Sequence, residues 1–220
     1  MSGTDASHED TPRGAGLLGA VRLLIIAALV IGALELVRRV TLEPIEMARQ
    51  AERRRALDVV LPTHRYDNAP LDDAISVDAG ALGPGLHRVL RARLNGAPSA
   101  LVLEVTATGG YSGPIELLVA VDAQQRILAV RVTEHHETPG LGDGIDRHVD
   151  DWIDDFAGRF LGQPPADQWA VRKDGGRFDE FAGATVSPRA VVQAVRHCLE
   201  FTAQHAADLY AAPAGATLQR

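Results

Sequence analysis

The chain has 220 residues, enough for one ordinary domain with appendages, and its composition is globular, 46% hydrophobic and 23% charged. A formal charge of −7 argues against nucleic acid as a partner, because nucleic acid requires a basic footprint. The single cysteine, Cys198, excludes an intramolecular disulfide and any cluster or zinc site built from several thiolates.

Residues 1–16 are polar, small and acidic, and read as a disordered cytoplasmic tail. Residues 17–37 form an apolar run of about 21 residues, about 31 Å long as a helix, which matches the hydrocarbon core of a bilayer. Its centre, residues 23–34, carries no charge, and Arg22 and Glu35 lie towards the ends, where long side chains reach the interface. A cleaved signal peptide has a shorter apolar region followed by small residues, whereas Glu35, Arg38 and Arg39 follow this one. The expectation is a single-pass anchor, with a helical stalk over residues 38–61 that Pro62 ends. More arginines follow the span (Arg38, Arg39, Arg49, Arg53, Arg54, Arg55) than lie on its N-terminal side (Arg13, Arg22). Charge alone therefore retains the rest of the chain in the cytoplasm, although long domains can translocate regardless.

The remaining residues read as one α+β domain over 62–212 with a flexible tail over 213–220. Residues 62–85 are rich in Pro, Gly and Asp and imply loops with one short strand. Strand patterns follow at residues 86–94, 100–108, 115–121 and 126–134, and the short break at 122–125 makes the last two a hairpin. With aromatic residues at 5%, the core falls mainly to Val, Leu, Ile and Ala. Apolar residues at helical spacing (Val149, Trp152, Ile153, Phe156, Phe160) predict a helix over 148–161, and residues 169–172 one more short strand. The C-terminal amphipathic helix has Ser187 as its expected N-cap and Pro188 at its first position. Its apolar stripe runs through Val191, Val192, Val195, Cys198, Leu199, Thr202, Ala206 and Leu209, which makes Cys198 a packed thiol.

Two stretches could carry chemistry. In residues 179–187, Gly183 and Ala184 leave the backbone uncovered just before a helix, whose free amides and dipole attract an anion. Thr185 presents a hydroxyl there, so a phosphate could be bound or esterified; the alternative is a small-residue turn with an ordinary cap. In residues 134–143, His135 and His136 between glutamates raise the question of a metal. Neighbours on a strand point to opposite faces, however, and no metal site is expected. The Thr138-Pro139-Gly140-Leu141-Gly142 loop reads as a rigid turn that lets a ligand approach the backbone.

Three motifs in this order resemble the flavin-bearing subunits of Rnf ion-translocating electron transport complexes, and the related subunit of sodium-translocating NADH:quinone reductases. They are Gly110-Tyr111-Ser112-Gly113, Glu137-Thr138-Pro139-Gly140-Leu141-Gly142, and residues 179–185. The family's flavinylation pattern is an Asp, two variable residues, a small residue, then Gly-Ala-Thr. Asp179, Ala182, Gly183, Ala184 and Thr185 match it, with Ala182 where Ser or Thr is commoner. The resemblance implies FMN joined by a phosphoester to Thr185 by a flavin transferase. It further implies that Glu137, Thr138, Leu141 and Gly142 lie against the cofactor with Tyr111, Ser112 and Ser187, and that Asp179 supports attachment. It also implies an inner-membrane protein with its flavin domain on the periplasmic side, relaying electrons between integral-membrane and redox subunits rather than turning over a substrate alone. The alternatives are membership of the quinone reductase or a membrane-anchored FMN-binding regulatory module. No G-x-G-x-x-G fingerprint follows a strand, as a stand-alone nicotinamide-dependent reductase would need.

Overall fold

The computed structural model describes residues 13–220, and of the tail expected over 1–16, residues 1–12 lie outside them. The chain divides into two compact units, one ending at Glu52 and the other Arg53–Arg220. Helix α1 is Arg13–Val60, which takes in residues 17–37 and all but the last residue of the stalk expected over 38–61. Among the described residues no helix is long and apolar enough to cross a membrane. Of the expected span, the described side chains are those of residues 19–35, and Leu23, Leu24, Ile26, Leu29, Ile31 and Leu34 all stand exposed.

The second unit is built on a six-stranded sheet in the order β5-β4-β3-β2-β1-β6. The strands are β1 Ala74–Asp78, β2 Leu86–Leu94, β3 Ala97–Ala107, β4 Ile115–Asp122, β5 Ile127–Glu134 and β6 Thr217–Gln219. Neighbours pair antiparallel except β1 and β6, which are parallel. The expected β4–β5 hairpin is present. Asp122 holds its turn by accepting bonds from the backbone N–H of Gln124 and Arg126, both at 2.9 Å. Strands β2 and β3 are joined at Asn95-Gly96, both with positive φ, as a tight hairpin turn requires.

Both faces of the sheet are covered, which is why β3 and β4 read as nearly continuous apolar runs. On one face Leu101, Leu103, Val105, Leu117 and Val119 pack beneath helix α2, Val186–Ala211. On the other, Ala100, Val102, Leu118 and Ala120 meet Leu57, Val60 and Leu61. The end of the expected stalk is therefore core. Fully burying a Leu or Val contributes about 1.5–3 kcal/mol, which fixes the last turn of α1 to the sheet. Five aromatic residues, Trp152, Phe156, Trp169, Phe178 and Phe181, gather in one place, with Phe156 stacked on Phe178 at 4.6 Å and Trp152 edge-on to Phe181 at 5.5 Å.

Four expectations are corrected. The helix expected over 148–161 is a single 3-10 segment, Trp152–Phe156. Asp146 and Asp150 bond the backbone N–H groups two residues on, at His148 and Trp152, which competes with helix formation. Beyond it, Gly158 and Arg159 exchange backbone bonds with Ile127 of β5 instead. Residues 169–172 make one isolated bridge, Val171 with Phe178, rather than a strand. Residues 213–220, expected as a flexible tail, contain β6, and Arg220 pairs with Asp208 at 2.9 Å. Finally, α2 begins earlier than its expected cap: Thr185 is the N-cap, and Ser187 and Pro188 lie inside the first turn. Pro188 is tolerated there because first-turn N–H groups have no helical partner to lose.

Cys198 is fully buried on the α2 stripe, and that burial pushes its thiol well above the ordinary cysteine range. Reactivity requires the thiolate, so the folded protein should not react with a disulfide exchange reagent over hours at pH 8, and denaturant should release one thiol at once. Prompt labelling of native protein would contradict this packing.

Candidate functional site

Three segments far apart in sequence converge at the N-terminus of α2. Tyr111 comes from the loop between β3 and β4, Glu137, Thr138, Leu141 and Gly142 from the loop after β5, and Gly183, Ala184, Val186 and Ser187 from the entry to α2. Together they line a cleft of about 270 Å³. A larger hollow, about 460 Å³, lies at the opposite end of α2 around Leu101, Ala206 and Tyr210. That hollow faces the carbonyl end of the helix, the wrong pole for an anion.

Glu137 joins the three segments. It is 5% exposed, and each carboxylate oxygen accepts one hydrogen bond. Oε1 accepts from the Ser112 backbone N–H at 3.3 Å, and Oε2 from the Ser187 hydroxyl at 2.7 Å. This explains why Ser187 does not cap the helix: its hydroxyl satisfies a buried acid 50 positions away. Gly142 is required by close approach. A Cβ there would lie 2.6 Å from Ser187 Oγ and 2.7 Å from Glu137 Oε2, so any side chain would part the cleft wall from the helix.

Thr185 is half-buried with helical backbone angles (φ −73°, ψ −22°), and its side chain makes no capping hydrogen bond. Its hydroxyl stays free beside the first turn, whose N–H groups have no intrahelical acceptor. The approach to Thr185 is a tight turn in which the Ala184 N–H donates to Phe181 O at 3.0 Å. Gly183 takes a φ of +78° there, which a side chain would strain. Phe181 is set in place by Gly144, where a Cβ would meet its ring at 2.8 Å.

Several expected site residues stand apart from the cleft wall. Asp179 is exposed and forms an ion pair with Arg172 at 2.7 Å, while its carbonyl accepts from Trp152 Nε1 at 2.8 Å. Ala182 is exposed at the turn, and Ser112 contributes its backbone N–H to Glu137 rather than its side chain to the cleft. The 3-10 turn Arg172–Asp174 clamps the whole approach, through Arg172 to Asp179 and through Asp174 to Arg189 of α2 at 2.6 Å. Val186 lines the cleft but was not singled out from sequence. Its only signal was its place between Thr185 and Ser187, which a wrongly placed helix start obscured.

His135 and His136 follow the end of β5, so the strand alternation invoked for them does not govern them. His135 Nδ1 accepts the Glu137 backbone N–H at 3.2 Å, and its Nε2 lies 3.8 Å from Asp146 Oδ2. Among the described residues no group of three or more His, Cys, Asp or Glu is placed to hold a metal ion. Asp146 is held below the usual carboxylate range. Burial pushes it up, but hydrogen bonds from His148 and the charges of His148 and His135 outweigh that.

The residues present suit a nucleotide-like group with a phosphate. A free hydroxyl and a helix N-terminus meet an anion's needs, and exposed Tyr111 (75%) and Leu141 (49%) offer apolar walls at the mouth. Residues 110–200 match the family described as the FMN-binding domain, a range that takes in all three segments. The chain is also similar to curated proteins named as the component lettered G of an ion-translocating oxidoreductase complex. The one from Escherichia coli (strain K12) is 46% identical over 176 residues, 80% of this chain and 85% of that protein. The one from Pseudomonas aeruginosa (strain PAO1) is 47% identical over 187 residues, 84% and 87% of the two chains. The Cronobacter sakazakii protein is 46% identical over 176 residues, with 80% and 85% covered.

Proposed function

This chain belongs to the RnfG family of ion-translocating oxidoreductase components, and from that premise we propose that it carries FMN esterified to Thr185 and relays electrons within such a complex. The observation that carries the reading is the unengaged Thr185 hydroxyl at the N-terminus of α2, beside a cleft onto which all three motifs converge. FMN supplies the redox chemistry, while the chain supplies binding, orientation and electrostatics. The first turn of α2 receives the phosphate, with Gly183 and Ala184 leaving room for it. Leu141, Val186 and Tyr111 shelter the apolar part of the cofactor, and Thr138 stands at the rim. Asp179, outside the cleft and exposed, is accessible to the transferase that forms the ester. A covalent tether holds the cofactor without relying on its binding equilibrium, which suits a compartment that does not resupply FMN. The names of the relatives favour the Rnf-type complex over the quinone reductase or a free-standing regulatory module.

The test is chemical. Denatured full-length protein from a host with the flavin transferase should stay yellow and fluorescent, and the peptide containing Thr185 should carry the mass of one FMN less one water. Flavin that washes away in denaturant, or mass on another peptide, defeats the assignment.

The same reading places residues 17–37 across the inner membrane as a single helix and residues 62–212 on the periplasmic side. Its support is the exposed apolar run over residues 19–35, which water does not favour. The arginines after the span oppose this orientation, but they lie among Glu43, Glu46 and Glu52, and a domain of this length can translocate despite them. Alkaline phosphatase fused after Arg220 should be active, and green fluorescent protein exported unfolded at the same point should be dark. Bright fluorescence with inactive phosphatase would put the domain in the cytoplasm.

A further inference from the structure

The geometry points to Glu137 as a redox-linked proton acceptor: a buried carboxylate in the wall of the cofactor cleft that takes up a proton when an electron enters and releases it when the electron leaves. The inference rests on the cleft holding FMN and not on the ester to Thr185.

Among the described residues, Glu137 and Tyr111 are the only ionisable ones lining the cleft, and Tyr111 stands at its mouth, 75% exposed. Glu137 is 5% exposed. Each of its oxygens lies within hydrogen-bond reach of a neutral group, Oε1 of the Ser112 backbone N–H and Oε2 of the Ser187 hydroxyl. Burying a carboxylate without a cation is costly and calls for strong compensation. Here the compensation is the positive end of α2, since Ser187 lies in its first turn. The phosphate proposed for the site draws on that same helix end, so Glu137 already shares its one favourable field.

Among the described residues, the other elements around Glu137 provide no counter-charge. On its own segment, His135 uses Nδ1 to accept the Glu137 backbone N–H, and its Nε2 faces Asp146. Within the first turn of α2, Arg189 is held by Asp174 through two hydrogen bonds. From the loop before β4, Gly110 brings no side chain, since a Cβ there would lie 2.8 Å from Oε1, and Ser112 contributes only its N–H.

An added electron therefore meets a fixed negative charge that has no cation to offset it. In a site of low effective dielectric that repulsion is several times stronger than in water. Protonation of Glu137 removes it. One electron arrives from a reduced redox subunit, one proton arrives from solvent through the open cleft, and the net charge of the site is unchanged. On oxidation both leave. The Ser187 hydroxyl can turn from donor to acceptor as the carboxyl gains its proton, so no buried group is orphaned.

The test uses the full-length, flavin-loaded protein in detergent, comparing wild type with Glu137→Gln, which keeps the shape and removes the charge. Redox-difference infrared spectra of the wild type should gain the carbonyl stretch of a protonated carboxyl on reduction, and the variant should lack it. Proton uptake on reduction, followed with an indicator dye in unbuffered solution, should be greater in wild type by about one proton per flavin at most. The flavin potential of the variant should be higher at any fixed pH. Equal uptake and identical infrared differences would overturn the inference. If Glu137→Gln holds no flavin, the wild-type spectrum decides alone, and a reduction that produces no carboxyl band overturns it. Retention of flavin in denaturant is read on the same samples. Flavin lost on denaturation together with a surviving carboxyl band would remove the Thr185 ester and leave the role of Glu137 in place.

Discussion

Thr185→Val should yield a folded protein with no covalent flavin. Valine matches threonine in shape and branching, so the only loss is one hydroxyl, and that hydroxyl makes no capping bond in the structure. The ordinary cost of losing an N-cap, about 1 kcal/mol, therefore does not arise. Stability should stay within about 0.5 kcal/mol, as for surface changes away from special features. Along the entry to α2 the ester, by contrast, has no other hydroxyl to use: Ala182, Gly183, Ala184 and Val186 offer none, and the Ser187 hydroxyl is committed to Glu137. In-gel fluorescence after denaturation should fall from full to background, with the melting temperature of the flavin-free forms unchanged. Thr185→Ser should retain part of the flavin because the nucleophilic oxygen remains. Fluorescence that survives denaturation in Thr185→Val would move the attachment elsewhere.

Arg91→Met should destabilise the domain by about 3–5 kcal/mol, as expected when one partner of a buried ion pair is removed. Arg91 lies on β2 and is 1% exposed. Its guanidinium pairs with the Asp73 carboxylate, donates to Asp73 O at 3.2 Å and Leu209 O at 3.0 Å, and donates to Ala212 O. Two of these acceptors belong to the last turn and C-cap of α2, whose carbonyls have no helical partner. A cation at that end also complements the helix dipole. Arg93 supports the same corner, bonding Asp73 at 3.0 Å and Tyr210 O at 2.9 Å. Since Asp73 keeps Arg93, the loss should fall towards the lower end of the range, with the melting temperature down by roughly 6–20 °C for a domain of this size. Arg91→Lys should recover a minority of it, because one ammonium cannot reach four acceptors that a planar fork can. A drop of under about 2 °C in Arg91→Met would show that the corner holds without this residue. The N-terminal end of α2, where the flavin is proposed to be attached, is remote from the substitution, so loading should follow stability and not fall ahead of it.

Much of this protein was legible from residues close together in the chain. The strands β2 to β5 follow from apolar patterns over eight or so residues, because each pattern reports which faces are covered. The body of α2 is equally plain from its stripe, and the stretch 179–185 drew attention through glycine and alanine ahead of a helix. What failed needed a partner distant in sequence. Ser187 looks like a cap until Glu137 claims its hydroxyl, and residues 148–161 have helical spacing until Asp146, Asp150 and Ile127 take their backbone groups. Residues 217–219 are too short to announce a strand, and only the free edge of β1 makes them one. Arg91 sits in a β pattern with nothing to mark it as the anchor of a helix end.

The division has one physical origin. Periodicity, turn chemistry and the small residues before a helix act through neighbours along the chain, so the sequence alone determined strands β2 to β5, the body of the last helix and the stretch that contains Thr185. Burial leaves polar groups that must find donors or acceptors wherever the fold has brought them, and that choice belongs to the tertiary structure. It decided where α2 starts, it made Glu137 the clasp of the cleft, and it left the Thr185 hydroxyl free.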